Sequence, residues 1–362
     1  RNGFTVDGRP IYRPIDPLRT GCSARIVGTG GNNPQWTGLS PACFNPANAV
    51  LQEFLQLTNG PSFESHNASL ILTKRFSEGV FTDGGSVNVN FGYAFTDSQQ
   101  SPNARDATAG SFFDGTAAFD PQNLGVSQSG FETRHNFTFS MAFREEFIED
   151  YNTSFGFFFR ASEGRPYSLV YDDANPTFRG SQSVEENILA YIPTGPNDPN
   201  IAPAIFNAAG VRTGGSDPAA VAAFLDALQN GVPIGTTGRR QQLNCNFTPG
   251  ETVARNQCRN PWVFDLDLRI SQELPFLGKL TGIKKDRIEL FADVVNVLNL
   301  LSDEGNVVRV LGGGDGRVDL VDASFDAQGR YVITGFTAAP GVPDTIAAPS
   351  VWRVQIGARY EF

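Results

Sequence analysis

The chain has 362 residues and a net charge of −10, with 38 Gly, 30 Phe, 23 Pro and two His; only 18% of its residues are charged. That acidic balance argues against nucleic acid as a partner, because no basic patch exists to neutralise phosphates. No run of 18 apolar residues occurs, so no transmembrane helix is expected, which leaves membrane strands open.

Low charge combined with many aromatics suits strands that alternate between two solvents; it suits a secreted β-sandwich equally. The chain opens at Arg1 without a Met or a signal peptide and reads as a mature or truncated piece. Residues 1–13 have room for one short strand. Residues 14–60 are loop-like, with a helical pattern at Ala47–Leu57.

Strand patterns then arrive in hairpin order. His66–Phe76 (HNASLILTKRF) is joined by the turn-forming SEGVFTDGG to Ser86–Thr96 (SVNVNFGYAFT). In the second segment Val87, Val89, Phe91, Tyr93 and Phe95 share one face, opposite small and polar residues. After a longer connection, 97–130, come His135–Phe147 (HNFTFSMAFREEF) and Tyr151–Arg160 (YNTSFGFFFR), joined near Glu149 and Asp150. Phe137, Phe139, Met141 and Phe143 alternate with polar residues in the first; Phe155, Phe157 and Phe159 share a face in the second. Residues 161–260 are rich in Gly, Pro, Asn and Asp and read as one long loop. Two helical patches interrupt it, Val184–Tyr191 and Pro218–Asn230, the latter with Asp217 placed to cap it and Gly231 at its exit.

Two more alternating segments follow, Trp262–Leu274 (WVFDLDLRISQEL) and Arg287–Leu298 (RIELFADVVNVL). Residues 299–349 hold one or two further strands, Tyr331–Phe336 being the better candidate. The terminal VWRVQIGARYEF puts Trp352, Val354, Ile356, Ala358, Tyr360 and Phe362 on one face. It resembles the C-terminal assembly signal of bacterial outer-membrane barrels, with Trp352, Tyr360 and Phe362 as its aromatic positions. About nine strands result, several of the length a tilted membrane strand needs.

Asp265, Asp267, Arg269, Glu289, Asp293, Arg353 and Arg359 all fall in the polar phase. Charges facing lipid are costly, whereas charges facing a watery lumen are tolerated. These seven could line a substrate path, although solvation of a lumen and contact with a plug is the simpler reading.

Cys22, Cys43, Cys245 and Cys258 allow three disulfide connectivities. Local pairing, Cys22 with Cys43 and Cys245 with Cys258, is preferred because each pair would close one loop, in an oxidising compartment. Neither pair has the Cys-x-x-Cys spacing of a zinc site, and no His lies nearby. Asp315, Asp319, Asp322 and Asp326 offer hard oxygen ligands for Ca²⁺, but their spacing departs from an EF-hand and a Gly/Asp-rich turn accounts for them. His66 and His135 lie in strand patterns without a Ser or Cys partner, so no catalytic site, metal or cofactor is expected.

WVFDLDLRISQEL, DRIELFADVVNVLN (Asp286–Asn299) and the terminal strand together resemble the C-terminal end of TonB-dependent outer-membrane receptors. RHNFTFSMAFR and GRPYSLVY also fit that group, and VEENILAYIP resembles a loop of its large Oar-like members. The resemblance covers most of residues 60–362. It implies an all-β fold, here a portion of an antiparallel transmembrane barrel spanning residues 1–362, with long extracellular loops at 14–60 and 161–260. It implies a bacterial outer-membrane location and energy-coupled uptake of an unidentified bulky nutrient. It also implies outer-membrane lipid and the barrel assembly machinery as partners, and the TonB system reached through a missing N-terminal region. The family's barrel has 22 strands around a plug domain. No plug is found here, and about nine strands cannot close such a barrel. The alternative is a secreted or surface β-sandwich that binds or adheres, in which the Phe-rich faces would fill a core.

Overall fold

A computed structural model describes residues 3–11, 18–27, 35–43, 60–101, 115–172, 187–234, 238–275, 287–302, 306–312, 316–337, 344–345 and 350–361. Its principal elements, in chain order, begin with β1 (Ser65–Phe76), β2 (Ser86–Gln100), β3 (His135–Ile148), β4 (Tyr151–Ser162), β5 (Pro166–Asp172) and α1 (Pro218–Asn230). They continue with β6 (Cys258–Arg259), β7 (Val263–Pro275), β8 (Arg287–Val295), β9 (Arg317–Phe325), β10 (Tyr331–Phe336) and β11 (Arg353–Glu361). The chain is mostly β, in largely antiparallel sheets.

One large sheet has the order β11-β8-β7-β4-β3-β2-β1, every pair antiparallel. Its ends do not meet, so among the described residues it is an open sheet. The connections sort by rim. Residues 77–85, 149–150 and 276–286 join neighbours at one rim, where Glu361 also ends β11 opposite Arg287. Residues 101–134, 163–262 and 296–352 leave and return at the other rim.

The short-turn rim is locked by a charge placed in the apolar phase of β3. The Glu145 carboxylate accepts hydrogen bonds from the Phe81 and Thr82 amides at 3.1 and 2.9 Å and from the Thr82 hydroxyl at 2.8 Å. Gly85 must be glycine here, since a Cβ would sit 2.3 Å from the Arg144 carbonyl oxygen.

At the opposite rim the long connections fold into a body with its own core. A second sheet, β6-β5-β9-β10, is built from two insertions, and β5 pairs with β9 in parallel. Parallel neighbours need a crossover, and the intervening segment supplies it together with α1. β5, PYSLVYD, is buried along nearly its whole length, as a strand covered on both faces should be. Asp217 caps α1 by accepting from the Ala219 amide at 2.9 Å, and Gly231 leaves it at φ 78°. Ala220, Val221, Phe224 and Ala227 form the buried stripe of α1. Tyr167, Leu169, Tyr171, Ile188, Phe224 and Ile333 represent the core; none of its members belongs to the seven strands of the large sheet.

Four expectations change here. Residues 161–260 are in large part folded rather than loop. Asn187–Tyr191 is extended, with bridges to Ala118, Val170 and Thr252, because its apolar residues fill the rim-body core from an irregular strand; residues 184–186 lie outside the described set. Where residues 1–13 have room for a strand, the described residues 3–11 show only a bridge between Phe4 and Pro10. The strands within 299–349, β9 and β10, join the rim body instead of the large sheet, which therefore has seven long strands plus the short Ser127–Gln128 beside β2. The helical pattern at 47–57 lies outside the described residues.

Both local disulfides form, Cys22–Cys43 and Cys245–Cys258. The second ties the rim body at β6, which pairs with β5. Replacing both Cys245 and Cys258 with Ser should cost the rim body about 2–4 kcal/mol. Limited proteolysis would read it: new cuts within 187–260 with the large sheet protected, whereas an unchanged cleavage pattern would refute it.

Candidate functional surface

Register across the large sheet sorts its side chains into two faces of opposite character. One row runs Leu72, Phe91, Phe139, Phe159, Leu266; the next runs Val89, Met141, Phe157, Leu268, Val294, Val354. A third runs Phe76, Val87, Phe143, Phe155, Ile270, Ala292, Ile356. Rings pack across this face, Tyr93 on Phe137 in the neighbouring row at 4.7 Å and Phe143 on Phe155 at 4.6 Å. No described layer covers this face: Leu72 is 55% and Ile356 81% exposed. Its charges stand near the rims. Glu145 lies under the 77–85 turn, and Lys74 is two residues from the end of β1.

Trp262 and Trp352 each immediately precede or lead into a strand at the long-connection rim, in phase with the apolar face. Trp262 stacks on Phe137 at 6.1 Å and on His135 at 6.3 Å. His135 in turn shares a 2.9 Å hydrogen bond between its Nδ1 and the Tyr93 hydroxyl. Tyr360 stands at the opposite rim, paired with Ile288. Phe362 lies outside the described residues. Ala161 is the small residue of the aromatic patch and leaves a shallow hollow walled by Phe91, Phe137, Phe159, Trp262 and Phe264.

The second face is polar. Thr73, Asn90 and Ser140 form one row, and Asn90 bridges its neighbours at 3.0 and 3.3 Å. Asp265, Asp267, Arg269, Glu289, Asp293, Arg353 and Arg359 all stand on it. Arg269 meets Asp293 at 3.1 Å, Arg359 meets Glu289 at 3.7 Å, and Arg287 meets Glu361 at 2.7 Å and Glu273 at 3.6 Å. Asp267 instead accepts from the Asn296 amide at 2.9 Å and fixes the exit of β8. Phe291 breaks the pattern for a local reason: its ring covers Gly357, where a Cβ would sit 2.3 Å from it, and carries the Arg269 guanidinium 4.6 Å above. Phe158 is a second exception, and nothing in the structure explains it.

These ion pairs are partly exposed, so their energetic role is small. Arg269→Ala should destabilise the sheet by about 1 kcal/mol or less, with the difference shrinking in high salt. Urea titration at two salt concentrations measures this; a loss several times larger would mean the pair is shielded from solvent.

The rim body is held to the sheet by residues without a sequence pattern. Glu132, wholly buried, accepts from the Ser98 amide at 2.7 Å and from Arg134 at 3.2 Å, and pairs with Arg259 of β6. Arg259 also meets Glu163 at 3.3 Å. Asn260 bonds the Leu311 amide at 2.6 Å and the Arg165 carbonyl at 3.0 Å. Nearby, burial draws the Arg255 guanidinium down to about 10. Above them the N-terminal segment is anchored by a fully buried arginine. Arg9 donates to the Tyr331 hydroxyl at 3.1 Å, to the carbonyls of Phe119 and Leu189 at 3.4 and 2.5 Å, and to the Thr252 hydroxyl at 3.3 Å. Tyr331 and Thr252 both donate to Asp7, at 3.0 and 2.6 Å. Burial works against the Arg9 charge, but Tyr331 and Asp7 outweigh it and hold the pKa above its ordinary value.

Among its described residues the acidic run at 315–326 does not gather into a metal-ligand group. Asp315 lies outside the described residues, Asp326 is taken by Arg330 at 2.7 Å, and no group of three potential metal ligands exists among the described residues. No family model, curated protein or solved structure matches this chain.

Proposed function

We propose that this chain is wall and outer rim of an outer-membrane β-barrel receptor of the TonB-dependent kind, serving uptake of a bulky nutrient. The observation that carries the membrane reading is the apolar face: seven antiparallel strands present aromatic and aliphatic rows over which, among the described residues, no layer lies. Lipid is the solvent such a face fits, and the polar face behind it fits a watery lumen. Two Trp at one rim and Tyr360 at the other match interfacial belts. The sorting of short turns to one rim and long connections to the other is the usual asymmetry of such barrels.

The transport part rests on the resemblance of WVFDLDLRISQEL, DRIELFADVVNVLN and the final strand to TonB-dependent receptors. On this reading Asp265, Arg269, Glu289, Asp293 and Arg359 face the lumen, and the rim body stands outside the cell. A sandwich needs a second layer on the Phe-rich face, and among the described residues the core of the rim body includes no residue of the seven strands of the large sheet.

Fluorescence tests the membrane reading. With Trp36 replaced by Phe, Trp262 and Trp352 should be quenched more strongly by lipids brominated near the headgroup than by lipids brominated at the chain ends. Absence of quenching by either lipid would remove the bilayer from the account. Uptake of metal chelates, oligosaccharides and peptides, compared in cells with and without the gene and with the inner membrane de-energised, tests transport.

A further inference from the structure

The aromatic patch of the large sheet has a gap that its own side chains do not fill. Along β4 the apolar phase runs Phe155, Phe157, Phe159 and then Ala161, so three rings give way to a methyl group. The neighbouring rings stand around that methyl and lean on one another. Phe137 meets Trp262 at 6.1 Å, Trp262 meets Phe264 at 6.4 Å and Phe264 meets Phe159 at 6.4 Å, with their planes inclined by 28°, 20° and 23°. Together with Phe91 they wall a hollow of about 590 Å³ floored by Ala161. That volume lies within the range of small-ligand sites. Walls with no atoms against them forfeit dispersion contacts, so the hollow favours an occupant.

The chemistry of the walls narrows that occupant. Among the described residues no charged side chain lines the hollow, so a free fatty acid would bring a carboxylate with no cation to meet it. Trp262 stands at the end nearest the long-connection rim and is 40% exposed. Among the described residues its indole N–H has no acceptor. An apolar trough with one free donor at its end fits a molecule that is hydrocarbon along its length and carries a neutral acceptor at one end. An ester-linked chain of a membrane lipid has that order. Its hydrocarbon runs toward the middle of the sheet, and its carbonyl stays at the level of the Trp belt.

We propose that this hollow is a lipid site, holding one acyl chain of a bilayer lipid against Ala161 with the ester end of that chain at Trp262. The inference rests on the membrane reading and adds to it one fixed place where a single lipid stays. Elsewhere on the apolar face the rows are filled by their own side chains and meet lipid that exchanges freely.

The test uses the full chain in vesicles doped with a phosphatidylcholine that carries a diazirine midway along one acyl chain. Leu72 and Leu266 share a register row with Phe91 and Phe159 but do not line the hollow, so they report lipid at the same depth outside it. Illumination should label Phe91, Phe137 and Phe264 several-fold more than Leu72 and Leu266. Ala161→Phe puts a ring where the chain would lie, and should bring the hollow down to the level of Leu72 and Leu266 while their own labelling holds. Ala161→Leu, a smaller filling, should lower it in part and serves if the Phe variant does not fold. Equal labelling inside and outside the hollow of the unaltered protein, or labelling that survives both substitutions, would overturn the proposal and leave the membrane reading standing. No lipid adduct anywhere on the apolar face would overturn the membrane reading and this site with it.

Discussion

Arg9→Met should unfold the rim body under conditions in which the large sheet persists, at a cost of about 3–5 kcal/mol. The guanidinium is fully buried and is the shared donor to Tyr331, Thr252 and the carbonyls of Phe119 and Leu189. Methionine fills similar space but donates nothing, so those acceptors lose a partner and Asp7 loses its counter-charge. Leaving buried polar atoms unpaired costs far more than the pairs contribute when made. Arg9→Lys should recover the smaller part of the loss, because one ammonium cannot reproduce a planar fork of donors aimed at several acceptors. Near-ultraviolet circular dichroism reports on the stacked Tyr191 and Tyr331, 5.0 Å apart, while far-ultraviolet dichroism follows the strands. The expected result is an early transition in the first signal only. Coincident transitions at the original midpoint would show that Arg9 does not hold this body.

What the sequence made legible was whatever repeats along the chain. Period-two alternation is a local property, so SVNVNFGYAFT, HNFTFSMAFREEF and YNTSFGFFFR announced their strands, and hairpin spacing announced their order. The same alternation put Asp265, Arg269, Glu289 and Arg359 on one face before any register was known, and the register places them together. Capping chemistry is local too, which is why Asp217 and Gly231 bounded α1 correctly.

The rim body was illegible for the converse reason. PYSLVYD is buried on both sides, so it has no alternation to detect, and its partner β9 lies about 150 residues away in sequence and pairs in parallel. Glu132, Arg9 and Asn260 act through contacts between distant segments, which no periodicity encodes. One local signal of the rim does lie in the sequence: Glu145 interrupts the apolar phase of Phe139, Met141 and Phe143. A charge at that position marks where the apolar band ends and the rim begins.

Phe157→Arg and Phe158→Arg, adjacent in sequence, should have opposite outcomes. Phe157 is central in β4, the middle strand of the large sheet, and its row on the apolar face includes Met141 and Leu268. Phe158 points the other way, in a row with Asn90, Ser140 and Asp267. Arginine at the middle of a lipid-facing wall costs about 2–4 kcal/mol, whereas on a wet face beside Asp267 it costs close to nothing. At 1.4 kcal/mol per tenfold change, the first variant should lose at least about thirtyfold in its folding equilibrium, read by urea titration in phospholipid vesicles. Depth separates lipid from a protein core. Arginine in place of Phe137, near the Trp262 belt, should cost only about 0–1 kcal/mol in a bilayer, because its charge reaches the headgroups. A sandwich core would penalise positions 137 and 157 alike, since both would be enclosed by a second layer. Equal losses at these two positions would therefore replace the membrane wall with a buried one, while a graded loss from 157 to 137 with none at 158 fits only a sheet that meets lipid on one side and water on the other.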